Sequence, residues 1–175
     1  FDLPSLGGLP GGGPWDLPGA GRSSVSMDFD FLENDGDLIF TAGSRNLATG
    51  GLGDDLMVMG GQRNISLAGD GNDFVFNAGR QNLIDGGSGD NVILTAGRSN
   101  FVMAGDGNDL VFSFGKENHL ITHEGDDTVV AVGKSNQIYA GEGDNTVLAA
   151  GSENAVNAGS GDDLAAAFGD KNTVK

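Results

Sequence analysis

Residues 104–121 read AGDGNDLVFSFGKENHLI, and the stretch nearly repeats itself. Val111 is matched nine residues on by Leu120, and Phe112 by Ile121, so two short apolar runs sit in equivalent settings. Just ahead of the first run stands Asp109, and ahead of the second stands Asn118. The stretch holds two turns of one kind, one acidic and one neutral.

The same pattern recurs every 18 residues from Leu32 to Lys175, giving eight units with no slip of register. Residues 68–85 read AGDGNDFVFNAGRQNLID, and residues 140–157 read AGEGDNTVLAAGSENAVN. The twelfth position of every unit is glycine, from Gly43 to Gly169, and the fifteenth is asparagine, from Asn46 to Asn172. The sixth position carries Asp37, Asp55, Asp73, Asn91, Asp109, Asp127, Asn145 and Asp163. Periodicity of this kind marks an architecture in which each unit buries its apolar face only by stacking on its neighbours.

Apolar runs at positions 7–9 and 16–18 are too short for helices and suit strands, while the glycines between them supply the positive φ of tight corners. The expected fold is all-β: a parallel β-roll, or β-solenoid, of eight 18-residue coils with two strands per coil, equivalent strands lying about 4.8 Å apart. Position 8 should point inward, with Val75, Ile93, Val111, Val129 and Val147 filling a thin core. Positions 7 and 9, among them Phe74 and Phe76, then face out. A soluble monomer rarely shows so large an apolar strip, so something is expected to cover it.

Charge narrows the partners. The formal net charge is −16, with 25 acidic against 9 basic residues, which argues against nucleic acid because a polyanion binder needs clustered Lys and Arg. There is no cysteine, so thiolate metal sites and disulfides are excluded, and the two histidines, His119 and His123, are too few for a zinc centre. No apolar run approaches the ~20 residues of a membrane span. No nucleophile–base pair or convergent acid pair emerges, so an enzyme is not expected. The chain opens on Phe1 rather than Met, as expected of a processed or trimmed chain, from which any signal peptide would be missing.

Stacking would bring successive position-6 side chains within about 4.8 Å, where two bare carboxylates repel by roughly 3–4 kcal/mol at an effective dielectric near 20. A cation between them would turn repulsion into attraction. Every ligand on offer is oxygen, and flexible glycine carbonyls suit the loose geometry of Ca²⁺ better than the strict octahedron of Mg²⁺. The metal-free chain is therefore expected to be largely disordered and to fold on binding calcium.

The acidic turns AGDGND, GGSGDN, AGEGDN and AGSGDD resemble the GGxGxDxUx nonapeptide of the repeats-in-toxin (RTX) calcium-binding β-roll family. The resemblance spans residues 32–175. It implies calcium held between adjacent turns by the position-6 carboxylates Asp55, Asp73, Asp109, Asp127 and Asp163, with glycine carbonyls such as Gly69, Gly71, Gly87, Gly89, Gly105 and Gly107. Asp37, Asn91 and Asn145 share that column, but Asn91 and Asn145 are neutral where the family has Asp. Asp37 lies in LENDGD (32–37), which lacks the leading glycine pair, and THEGDD (122–127) has His123 in place of a glycine. The neutral turn departs from the family too, where both edges usually bind metal. Here an asparagine ladder should satisfy itself by accepting a hydrogen bond from one coil and donating to the other, leaving calcium on one edge only.

Seven of the nine basic residues, Arg45, Arg63, Arg80, Arg98, Lys116, Lys134 and Lys171, fall at positions 13 and 14, so the rod should be electrically two-sided. Residues 1–31 differ in composition, holding all four prolines, the only tryptophan and a near-duplicate, FDLP at 1–4 and WDLP at 15–18. They read as a Gly/Pro-rich arm ending in a candidate docking strand at 24–31, where Val25, Met27, Phe29 and Phe31 alternate with polar residues. The last coil carries no polar cap, so either the chain is cut from something longer or this end stacks on another subunit. The functional expectation is a secreted or cell-surface calcium-binding structural protein that self-assembles into a filament, surface layer or matrix fibre. Its self-contacts would use open coil ends, apolar strand faces and the arm. Two alternatives stand beside it: a calcium-folded module of a larger secreted adhesin or enzyme, and an ice-binding protein. The latter is disfavoured because position 3 lacks regular threonine.

Overall fold

The computed structural model describes residues 36–175 and, as backbone, Val25–Phe29. Seventeen strands, numbered along the chain, form two sheets, and no helix occurs among the described residues, hence none long and apolar enough to cross a membrane. The first sheet stacks β1 (Val25–Phe29), β2 (Leu38–Ser44), β4 (Leu56–Gln62), β6 (Phe74–Arg80), β8 (Val92–Arg98), β10 (Leu110–Lys116), β12 (Thr128–Lys134), β14 (Thr146–Ser152) and β16 (Leu164–Phe168) in that order. The second stacks β3 (Leu47–Leu52), β5 (Ile65–Asp70), β7 (Leu83–Ser88), β9 (Phe101–Asp106), β11 (His119–Glu124), β13 (Gln137–Tyr139), β15 (Ala155–Asn157) and β17 (Thr173–Val174). From β2 on the chain alternates between sheets, and each strand pairs in parallel with the one 18 residues away: Val111 opposite Val129, Leu120 opposite Ile138. This is the parallel β-solenoid read from the 18-residue period.

The strands outrun the apolar runs that announce them. β10 covers positions 7–13 and β11 runs from position 16 into position 3 of the next coil, because the stacked glycines allow the ladder to continue through the corner. Gly115 takes φ 139° and packs so tightly that a Cβ there would strike the carbonyl of Gly97 one coil below. The residue at position 14 is left-handed in every coil, although none is glycine: Arg45, Arg63, Gln81, Ser99, Glu117, Ser135, Glu153 and Lys171 have φ between 55° and 62°. Its N–H bonds the position-13 carbonyl of the next coil, as Arg63 does to Arg80 at 3.0 Å. Glycine at position 12 and asparagine at position 15 mark the turn in the sequence, but the residue types at position 14 do not mark its left-handed corner.

The core is two side chains deep. Positions 8 and 17 meet between the sheets, with Val75, Ile84, Ile93, Val102, Val111, Leu120 and Val129 all fully buried. Volume is balanced within a coil: Met57 and Met59 occupy the coil whose position 17 is only Ser66, and the Ser66 hydroxyl contacts the Met57 sulfur at 3.3 Å. Outside, positions 7 and 9 of the first sheet stay open, with Leu38, Phe40, Leu56, Phe74 and Phe76 each 37–40% exposed. At the near end β1 lies antiparallel along β2, Val25 opposite Ala42 and Phe29 opposite Leu38. The remainder of the arm, including FDLP and WDLP, lies outside the described residues.

Candidate metal centre

Position 15 sets the template for both edges. The backbone N–H of Asn46 donates to Oδ1 of Asn64 at 3.0 Å, that of Asn64 to Asn82 at 2.9 Å, and so on through Asn172. The amide Nδ2 mostly turns back to the glycine carbonyl of the preceding coil, as Asn154 does to Gly133 at 3.3 Å and Asn172 to Gly151 at 3.1 Å. Only Asn100 and Asn136 also reach forward, to Oδ1 of Asn118 and Asn154. The ladder is thus chiefly backbone to side chain rather than amide to amide, since an inward-facing N–H needs an acceptor at each corner.

The acidic column uses the same ladder. Asp55 donates its N–H to Oδ1 of Asp73 at 2.8 Å, Asp73 to Asn91 at 3.0 Å, Asn91 to Asp109 at 2.8 Å, and Asp109 to Asp127 at 2.8 Å. Asp37 feeds Asp55 at 2.6 Å, and the run closes through Asn145 to Asp163. Asp55, Asp73, Asp109 and Asp127 are 1–2% exposed. Position 6 therefore points into the rod, and Asp and Asn are interchangeable there as far as Oδ1 is concerned.

The second oxygen separates them. At Asn91 the amide Nδ2 donates to the carbonyls of Gly89, at 3.0 Å, and Ala104, at 3.3 Å; at Asn145 it donates to Gly143 and Ala158 at 3.1 and 3.3 Å. These are position 4 of the same coil and position 1 of the next. At Asp55, Asp73, Asp109 and Asp127 the corresponding atom is Oδ2, and each is buried with no hydrogen-bond partner. At Asp55 this oxygen lies beside a carbonyl: a Cβ built on Gly50 would run into both Asp55 Oδ2 and the Ala68 carbonyl. Burial, helped by neighbouring charges such as Asp55 on Asp73 and Asp127 on Asp109, lifts the Asp73 carboxyl to about 6 and that of Asp109 to about 7. Burial also raises Asp55 and Asp127, opposed at Asp55 by the Asp37 N–H and at Asp127 by the nearby Thr122 hydroxyl and then the Asp109 N–H. Asp127 differs in one respect, because the Thr122 hydroxyl already occupies the Ala140 carbonyl at 2.5 Å.

Where Oδ2 takes the place of the amide NH₂, beside carbonyls that can only accept, something positive is required, which a proton or a cation can supply. The position-4 glycines Gly71, Gly89 and Gly107 stand beside this oxygen by the geometry of Asn91. The position-2 glycines Gly69, Gly87 and Gly105 lie within β5, β7 and β9, and at His123 and Gly141 the position-2 carbonyl accepts the ladder N–H of Glu142 and Ser160. The position-1 carbonyl was invisible to residue-type reasoning; its trace in sequence is only that Gly, Ala or Thr occupies that place in every coil from the second on.

Sequence reasoning also missed a second ladder, at position 5. There the N–H of Asn72 donates down to Asp54 Oδ1 at 2.7 Å, Asp90 to Asn72 at 2.8 Å, and the series continues through Asn108, Asp126, Asp144 and Asp162. It is exposed and runs opposite to the buried one. Among the described residues no three His, Cys, Asp or Glu side chains converge on one point. Each candidate site is thus one buried carboxylate with backbone carbonyls. On the opposite edge, Arg98 pairs with Glu117 at 2.8 Å and Lys134 with Glu153 at 3.2 Å, so part of the basic row is neutralised within the rod.

The fold and this column define a parallel β-solenoid with a column of buried acids, interrupted by the amides Asn91 and Asn145, along one edge. Compared with known proteins, the chain matches no family model, no curated protein and no solved structure.

Proposed function

We propose that this is an extracellular calcium-binding structural protein, a β-roll of the repeats-in-toxin type that assembles through its own surfaces. The observation that carries the metal reading is the set of four orphaned Oδ2 atoms at Asp55, Asp73, Asp109 and Asp127, set where Asn91 and Asn145 place an NH₂ against two carbonyls. The donors fit a hard, oxygen-seeking cation of flexible coordination. Calcium, when bound, would supply the positive charge that these buried acids lack. The chain's own part is to aim Oδ2 and the position-4 and position-1 carbonyls at one gap, while Oδ1 stays committed to the ladder. One carboxylate per gap makes for a weak site, matched to the roughly 10⁻⁴–10⁻³ M affinities of extracellular modules rather than to cytosolic sensors.

Assembly is supported by the open apolar face of the first sheet and by the acidic and basic edges, which repeat with the same rise per coil and so stay in register between neighbouring rods. Electron microscopy and sedimentation of the whole chain, in millimolar calcium and in chelator, test this reading. Ordered fibres or sheets that disperse in chelator are expected. Monomers in both conditions would remove assembly, and unchanged calcium-independent particles would remove the metal's role.

A further inference from the structure

The apolar face is not uniform along the rod. Over coils one to three it sinks into a groove of about 330 Å³, walled by Phe40, Val58 and Phe76 at position 9 and floored by Ala42, Gly60 and Ala78 at position 11. Ala96 continues the small floor into the fourth coil, and in the fifth and sixth the same position holds the larger Phe114 and Val132. The volume is about twice the ~150 Å³ that admits a benzene ring. Small floor residues beneath the Phe40 and Phe76 walls make a recess for a side chain at this end, not a bed for a whole rod.

The groove also has a near neighbour in sequence. Because β1 runs antiparallel along β2 with Val25 opposite Ala42, the chain preceding Val25 leaves the sheet beside a residue of the groove floor. Ten residues earlier stands Trp15, the only tryptophan, in WDLP (15–18). Ten residues span up to about 33 Å, whereas the groove's far wall on β6 is two strands, or about 10 Å, from β2. Arg80 follows Ala78 by two residues on β6, hydrogen-bonds Gln62 at 3.3 Å, and has no described carboxylate paired with it. Asp16, next to Trp15, would bring one.

We propose that residues 15–18 of the same chain fold back over β1 and seat the Trp15 ring in this groove, with Asp16 toward Arg80. A large amphipathic ring with an N–H left near solvent suits an open apolar recess of this size. The arm is thereby a cover for the near end of the apolar face, leaving the rest of the strip for contacts between copies. This does not depend on the metal reading or on assembly.

Intrinsic tryptophan fluorescence of the intact chain tests it, since Trp15 is the sole reporter. Folded protein should show emission blue-shifted from the urea-denatured chain and protection from iodide quenching, and both should persist on dilution. Gly60→Phe is the decisive variant: a Cβ at Gly60 meets open space, and Phe114 shows that coil five accommodates phenylalanine at the equivalent position. With the strand signal by circular dichroism unchanged, the variant should return Trp15 to the emission and quenching of the denatured chain. Solvent-like emission in the folded wild type overturns the proposal, as does a blue shift that survives Gly60→Phe. A blue shift lost on dilution together with dissociation in sedimentation also overturns it, because the occupant would then be a second copy.

Discussion

Replacing Asp109 with asparagine should make the metal-free rod more stable, although it deletes an acid from an acidic column. Folding lifts this carboxyl from 3.8 to about 7, chiefly by burial. At pH 7.5 that corresponds to a penalty of at most about 4 kcal/mol for holding the ionised group in the fold. The rod is thin and solvent lies close on both sides, so about 2–3 kcal/mol is the working figure. Asparagine removes the charge, keeps Oδ1 for the Asn91 N–H, and turns an NH₂ toward the Gly107 and Thr122 carbonyls, as Asn91 does toward Gly89 and Ala104. Urea unfolding followed by circular dichroism in chelator would read the gain as a midpoint about 1–2 M higher, for a slope of about 1–3 kcal/mol per M. If the wild type is already unfolded in chelator, the gain is read as a lower calcium concentration at half-folding. Asn91→Asp should do the reverse, destabilising the chelated rod by a similar amount while adding a calcium site. The reasoning fails if Asp109→Asn leaves the chelated protein unchanged or weaker, for then Oδ2 is not the strained atom.

Acid should substitute for metal. The folded chain binds protons at Asp73 and Asp109 that the unfolded chain has released, so metal-free stability should be greatest near pH 4 and decline through about pH 6–7, as circular dichroism in chelator would record. Asn118→Ala should cost about 2–3 kcal/mol in thermal or urea unfolding, because it leaves the buried Asn100 N–H without its acceptor; Asn172→Ala, half-buried in the last coil where water can replace the acceptor lost to the Asn154 N–H, should cost under about 1 kcal/mol. Gly115→Ala should cost about 3 kcal/mol or more, since it combines φ 139° with a clash on the Gly97 carbonyl, whereas Gly60→Ala, facing open space at an ordinary φ, should be close to neutral.

What the sequence reveals here is whatever repeats in residue type. The 18-residue period fixes coil length, strand pairing and register, and the alternation about Val111 and Leu120 identifies the inward rows. The position-6 column is legible for the same reason. Backbone atoms carry no such letter, so the carbonyls of Ala68 and Ala104 were missed and the left-handed corner at Arg45, Arg63 and Gln81 gave no warning. Nor does residue type say which way a side chain faces at a turn. Asp109 and Asn118 look like different devices in sequence, yet both turn inward and accept the same ladder hydrogen bond. The distinction lies wholly in the other atom, oxygen in one and nitrogen in the other.

That difference can be measured by equilibrium dialysis of the chain against millimolar calcium at pH 7.5, counting bound metal by atomic emission as the excess over the dialysate, and repeating with Asp55, Asp73, Asp109 and Asp127 all changed to Asn. Calcium retained by the wild type and lost by the variant, which nonetheless keeps its strands in chelator, is the expected result. Equal calcium in both proteins, or none in a folded wild type at that pH, would contradict it.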